Sequence, residues 1–324
     1  MLCGSPLCIA FETTPKSLPP VAGRMSLRLE MLQVARLAPN VLGDSAPLVR
    51  QFLIGQLNSD GGFRNRSGES DIYYTVFGIE GLLALQADFP VKLLASFLKK
   101  FGSGENCDFV HLCCLARCWA DLKTATANDQ DLVPAGCFQS IAERLGKYRS
   151  LDGGFYPEEH SDYASAYACF LALGAYQDCC QPVPDIEKVA AAVTRLAMPD
   201  GGFANERCTP VGATNATAAA ATVLRFLRMP PPSQTARWLM DRFCPSGGFL
   251  AVPRAPIPDL LSTATALHAL AGLNADFGKI KEPCLDFVDS LWSNAGGFHG
   301  HWGDDHLDCE YTYYGLLALG HLSL

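Results

Sequence analysis

Asn294-Ala-Gly-Gly-Phe298, with the run from Asp304 to Leu319 behind it, decides the fold. It reads as a glycine turn, a polar loop, an acidic cap at Asp308 and a small-residue helix, Thr312-Tyr-Tyr-Gly-Leu-Leu-Ala-Leu319. The Gly-Gly-Phe phrase recurs at 61–63, 153–155, 201–203 and 247–249, and its first glycines are 92, 48, 46 and 49 residues apart. The first interval is twice the others. A degenerate turn stands at its middle, where Gly102-Ser-Gly-Glu-Asn-Cys-Asp108 leads into Phe109-Val-His-Leu-Cys-Cys-Leu-Ala116. Six units result.

Each unit predicts two helices. Before the turn, apolar residues fall at i, i+3, i+4 and i+7, as in Leu94, Phe97, Leu98 and Phe101, or Cys284, Phe287, Val288 and Leu291. Such a helix has one wet face and belongs outside. After the turn, 75–85, 165–173, 217–227, 263–273 and 312–322 are apolar nearly all round and rich in Ala and Gly. A helix apolar on every side is buried. Six outer and six inner helices in alternation predict an all-α fold, a double-walled α/α toroid. The rival is an open solenoid, which needs polar terminal units. The last unit ends in Gly-His-Leu-Ser-Leu324 without one, so closure is expected. The Gly-Gly pairs supply the positive φ of a sharp turn after a helix. The Phe is expected to plug the gap between units.

Asp71, Asp108, Asp162, Asp259 and Asp308 stand just before inner helices, with Thr214 in the fourth unit. Asp and Thr are good N-caps, and capping alone accounts for them. Six inner helices starting at one end also bring six positive dipole ends to one mouth, suited to an anion such as a diphosphate. The acidic caps weaken that field. Three residues past the caps stand Tyr74, His111, Ser165, Thr217, Ser262 and Tyr311, expected to look into the mouth. The last loop adds His299, His301, Trp302, Asp304, Asp305 and His306, without a diagnostic metal spacing. Candidate catalytic residues are Asp308, Tyr311 and Asp259. Candidate substrate-binding residues are Tyr74, His111, Trp302 and His306. A tyrosine pair suits a carbocation through the ring face, and a carboxylate suits steering or protonation.

The 324 residues are 49% hydrophobic, enough for a large core in one domain, because each repeat covers its neighbour. Net charge is −8 with no Lys/Arg cluster, which argues against nucleic acid and anionic membrane as partners. Fourteen cysteines without a zinc spacing, several inside apolar runs, read as buried free thiols of a cytoplasmic protein. No apolar run is long enough for a membrane helix. Residues 1–24 lack a signal-peptide pattern. They read as a disordered tail or as an upstream start outside the native chain. Residues 25–324 read as the toroid, with Met25-Ser-Leu-Arg-Leu-Glu-Met31 as the first patterned segment.

The Asp-Gly-Gly-Phe turns at Asp60, Asp152 and Asp200, with the repeat they introduce, resemble the prenyltransferase/squalene-cyclase repeat. Ser70-Asp-Ile-Tyr-Tyr-Thr-Val-Phe-Gly-Ile-Glu-Gly-Leu82 looks most like the β subunits of protein prenyltransferases of the Rab geranylgeranyl transferase type. The resemblance implies a zinc held by an Asp-x-Cys pair at the fifth inner helix and a His at the sixth. Those places hold Asp259-Leu260-Leu261 and Tyr311, so the family-type zinc site reads as lost and the cofactor as unknown. The family's Arg and Lys on diphosphate, after the fifth Gly-Gly turn, are represented by Arg254 alone. The family's histidine before the fourth inner helix falls near Gly212. Of the cyclases' Asp-x-Asp-Asp acid only Gly303-Asp304-Asp305 remains as a fragment, and the Gly-Cys-Gly-Glu-Gln motif of thioester complement barrels is absent. The resemblance implies a prenyltransferase β-subunit-like protein with an isoprenoid diphosphate, or another apolar small molecule, in a central apolar cavity. Its chemistry would be prenyl transfer at a non-standard site. The alternatives are a terpene-cyclase-like enzyme and a non-catalytic module that binds an isoprenoid, a helical partner subunit or a second copy of itself.

Overall fold

The computed structural model describes residues 26–126 and 132–324; the expected tail, 1–24, lies outside them. Two short helices, α1 (Leu27–Ala35) and α2 (Pro39–Leu42), open the chain. Six helical pairs follow. They are α3 (Ala46–Gly55) with α4 (Ile72–Ala84), α5 (Val91–Lys99) with α6 (Phe109–Ala125), and α7 (Cys137–Leu145) with α8 (Ala166–Asp178). Then come α9 (Ile186–Thr194) with α10 (Thr214–Phe226), α11 (Thr235–Met240) with α12 (Leu260–Gly272), and α13 (Lys281–Ser290) with α14 (Cys309–Leu322). The even-numbered helices from α4 to α14 each pack on the next, and α14 packs on α4, so the ring closes as expected. The described residues contain no strand, only isolated bridges such as Leu57 with Phe63 that pin each turn.

The turn glycines, more than the phenylalanines, join neighbouring units. Gly61, at φ +93°, would place a Cβ 2.3 Å from the Leu93 carbonyl oxygen on the next outer helix, α5. Gly296, at φ +94°, stands in the same relation to Leu48 on α3, so the sixth turn completes the circle against the first outer helix. The Phe instead packs inward on its own unit. Phe63 lies over Gly78 of α4, where a Cβ would come within 2.3 Å of its ring, and Phe298 lies over Gly315 of α14. The rings of Phe63, Phe155, Phe203, Phe249 and Phe298 are all fully buried. Their backbone N–H groups are satisfied from the inner helix. Those of Phe63, Phe203, Phe249 and Phe298 donate to the hydroxyls of Thr75, Thr217, Thr263 and Thr312, and that of Phe155 to Cys169 Sγ. The inner-helix threonines therefore lock the turns rather than face the mouth.

Two expected caps are corrected. Asp162 is exposed in the loop, and Ser165 caps α8 by accepting the Ala168 N–H. Thr214 is the first residue inside α10, whose cap position is Ala213, and its hydroxyl donates to the Leu250 carbonyl. Asp162 stands three residues before the cap position of α8 and Thr214 one residue past that of α10, so neither occupies a cap. Asp71, Asp108, Asp259 and Asp308 cap α4, α6, α12 and α14 as expected.

Helix α1 is not part of the two walls. It lies across the end where the inner helices finish. Its Leu27 N–H donates to Gln177, its Arg28 donates to Asp121 and Asp178, and its Glu30 pairs with Arg225. Those partners come from the last turns of α6, α8 and α10. Gly320 near the end of α14 lets α1 sit close, since a Cβ there would meet the Val34 carbonyl. The first patterned segment of the sequence is thus a plug. Among the described residues every cysteine is free, with Cys113, Cys114, Cys118 and Cys169 buried. No described helix is long and apolar enough to cross a membrane.

Candidate functional site

Inside the ring lies a cavity of about 310 Å³. Each inner helix faces it with its second residue, then with residues one and two turns on, the i, i+3, i+4, i+7 stripe of a single face. Tyr73, Val110, Tyr167, Asn215, Leu261 and Glu310 form the first level. One turn deeper stand Val76 and Phe77, Cys113 and Cys114, Phe170 and Leu171, Ala218 and Ala219, Thr265, and Tyr313 and Tyr314. Two turns deeper come Arg117, Thr222 and His268, then Asp178, with Met31 of the plug at the floor. None of the first-level residues is fully buried, whereas Met31 is 8% exposed, so the cavity opens where the inner helices begin and is shut at the other end. The walls are mainly aromatic and small. Phe77 lies 5.6 Å from Tyr314 and 5.9 Å from Tyr313, centroid to centroid.

Glu310 is the acidic group of the first level. The Tyr73 hydroxyl donates to its Oε1 at 2.6 Å. Burial drives its carboxyl up to about 7, against the Tyr73 hydrogen bond, and Asp308 adds to the rise. Near neutral pH this carboxyl therefore carries a proton for much of the time, inside an aromatic wall.

None of the eight candidate residues lines this cavity. Tyr74, His111 and Tyr311 occupy the third position of their helices, about 100° round from the second. The caps explain the placement: Asp108 and Asp308 accept the N–H of that third residue, which ties it to the rim between units. Tyr311 lies under the Arg66 guanidinium at 5.5 Å and against Gly300. Asp308 accepts from Arg66 Nε at 2.9 Å, and Asp304 from the same guanidinium at 3.0 Å, so this cluster joins the sixth unit to the first. Burial raises the Asp308 carboxyl even so. Tyr74 belongs to the cluster, raised by burial and by Asp308. Asp259 accepts from the Ser262 N–H and hydroxyl, and burial raises it too.

His111 bridges units one and two, 2.8 Å from Asp108 and 3.7 Å from Asp71. Asp71 first, then Asp108, push it up to about 9; Asp108 is nearer but 64% exposed, so water screens it. Trp302 is 47% exposed, donates to Ser290 and packs on Phe287, away from the cavity. His306 sits exposed beside Asp304, and Arg254 lies exposed in its loop at φ +67°.

Three groups that chemistry would use went unpredicted. Glu310 stands one position from Tyr311, and only helix rotation tells the two apart. Glu80 carried a legible signal, since it is the one charge inside the otherwise apolar α4, whereas Arg117 shares α6 with Asp121 and Lys123. At the places that the resemblance gives to zinc ligands, Asp259, Leu261 and Tyr311 offer one carboxylate already engaged, one hydrocarbon and one phenol. That set does not fit zinc. Among the described residues no three His, Cys, Asp or Glu side chains gather as a metal site.

No curated protein sequence matches the chain. Among solved structures, a Candida albicans protein geranylgeranyltransferase-I complexed with GGPP is 16% identical, with 91% of this chain and 82% of that one covered and a TM-score of 0.53. The type II terpene cyclase MstE from Scytonema, as a variant in complex with merosterolic acid A, is 14% identical over 88% and 97%, TM-score 0.59. An α-1,6-mannanase from Salegentibacter is 13% identical over 86% and 98%, TM-score 0.59. At these identities the likeness is one of fold. The family described as Prenyltransferase alpha-alpha toroid domain matches residues 41–113, 127–228 and 217–323. With the six-unit ring and its Gly-Gly turns, the match places this chain in the prenyltransferase alpha-alpha toroid family.

Proposed function

We propose that the central cavity binds a short isoprenoid chain and that Glu310 delivers a proton to it. One arrangement carries this reading: a carboxyl raised to about 7, held by Tyr73, in the wall of an aromatic cavity. The volume is at the small end of ligand sites, fitting about ten to fifteen carbons. Transfer of the Glu310 proton to a trisubstituted double bond forms a C–H bond and leaves a tertiary carbocation beside a carboxylate. The ring faces of Phe77, Tyr313 and Tyr314 suit that cation. Return of a proton from a neighbouring carbon restores Glu310 and yields a rearranged or cyclised skeleton, with no change of oxidation state.

The charge at the mouth favours this cyclase-like reading over prenyl transfer from a diphosphate. Asp71, Asp108, Asp259, Asp304 and Asp308 gather there against Arg66 and His111. A diphosphate would meet more anions than cations.

The test is incubation of the purified chain with geraniol and farnesol in deuterated buffer, read by gas chromatography and mass spectrometry. Deuterated, rearranged product from the wild type and none from Glu310→Gln, with ligand still bound, is the expected result. Bound ligand without turnover would remove the acid role. No binding of either would remove the whole reading.

A further inference from the structure

The inner helices fix the width of the cavity, because each packs on both of its neighbours round the ring. Its depth is set at the floor. On α8 the lining residues run from Tyr167 to Asp178, about 16 Å along the axis, and the far end is closed by α1, which belongs to neither wall. Of the α1 residues, Met31 alone lines the cavity. It is buried, and α1 is held on both sides of it. Arg28, one turn before, is tied to Asp121 of α6 and Asp178 of α8, and Glu30 to Arg225 of α10. Three residues after it, Val34 lies close on Gly320 of α14. At this depth the ring contributes Arg117, Thr222, His268 and Asp178, so the apolar surface of the floor is left to Met31 and Ala175. A hydrocarbon end pushed past Met31 would strip water from those polar groups and give them no hydrogen bond in return.

We propose that the Met31 side chain sets the longest isoprenoid that the cavity accepts, stopping it near the length of farnesol. The inference rests on the isoprenoid reading above and names the residue that decides chain length. With Met31 in place the volume fits about ten to fifteen carbons. Met is unbranched and turns about several bonds, so it fills the gap between α1 and the ring and gives the chain end an apolar surface to rest on. Because α1 lies outside the two walls, a change at residue 31 alters the depth and leaves the contacts between inner helices as they are.

The experiment measures binding of geraniol, farnesol and geranylgeraniol, each one isoprene unit longer than the last, to the whole purified chain by titration calorimetry. Comparing ratios between wild type and variant cancels the different water solubilities of the probes. Met31→Ala takes away Cγ, Sδ and Cε and leaves room for about three more carbons. A buried methylene is worth about fourfold in affinity, so the geranylgeraniol-to-farnesol ratio is expected to rise by about tenfold to sixtyfold. Met31→Leu, close to Met in volume, is expected to leave that ratio unchanged. Ala175→Met adds the same atoms from α8 without touching α1, and is expected to lower the farnesol-to-geraniol ratio by a similar factor. It keeps the test decisive if Met31→Ala does not fold. Hydrogen exchange shows whether α1 stays on the floor in Met31→Ala, and a gain seen only with α1 released overturns the role of the side chain. Unchanged ratios in Met31→Ala and Ala175→Met, with the wild type binding farnesol, overturn it too and leave the isoprenoid reading in place. If the wild type binds none of the three, the proposed function falls and this inference with it.

Discussion

Replacing Glu310 by Gln separates a protonated, buried carboxyl from an ordinary ionised one. The side chain keeps its shape and an oxygen to accept from Tyr73, but it loses the ability to ionise. Burial raises the folded carboxyl from 4.5 to about 7. Below the lower value both folded and unfolded chains carry the proton, and the raised pKa costs nothing. Between the two values only the folded chain holds the proton, so stability falls as pH rises, and above pH 7 the loss is complete. At roughly 1.4 kcal/mol per pH unit the full loss is about 3 kcal/mol. Glu310→Gln escapes it. The variant is expected to match the wild type near pH 4.5 and to exceed it by about 3 kcal/mol at pH 8. Urea melts at several pH values between 4.5 and 8, with the slopes checked for constancy, give the difference directly. Other titrating groups are common to both proteins and cancel. A stability difference that does not change with pH, or one that favours the wild type at pH 8, would refute the protonated carboxyl.

Gly78→Ala puts a Cβ 2.3 Å from the buried Phe63 ring and should cost about 1–3 kcal/mol by overpacking; an unchanged melting temperature would contradict the packing of the turn on its own inner helix. Thr263→Val leaves the buried Phe249 N–H without its acceptor, an expected loss of about 1–3 kcal/mol in denaturant melts, whereas Thr265→Val, on the cavity wall, should cost less. Arg28→Met strips the cation from buried Asp121 and Asp178 and should destabilise by about 3–5 kcal/mol; proteolysis and hydrogen exchange should show α1 released first, and uniform loosening of all inner helices would argue against a plug. The Asp71–His111–Asp108 bridge holds His111 at about 9, so its contribution is full below pH 6.5 and lost as pH rises to about 9; NMR titration of the imidazole, expected to show the raised value, checks it.

The sequence by itself determined the toroid. Six glycine turns at regular spacing, amphipathic helices before them and apolar helices after them carry local information, and local periodicity is enough to assign a helix to the outer or inner wall. It also located the end of the ring where polar groups gather, because four Asp caps mark four helix starts. Tertiary structure decided which side of each start looks inward. Tyr311 and Glu310 are neighbours in the chain, yet one lies under Arg66 at the rim and the other in the cavity wall, about 100° apart. On helices apolar all round, no polar stripe records the rotation about the axis; contacts with both neighbouring helices set it. The plug was out of reach for a like reason. Arg28 is separated from Asp121 by 93 residues and from Asp178 by 150, and no local pattern in Met25–Met31 says that a charge there will be neutralised inside the far end of a ring. Only closure of all six units brings those carboxylates to one place, and with Asp178 comes Arg117, which together give the cavity a polar end.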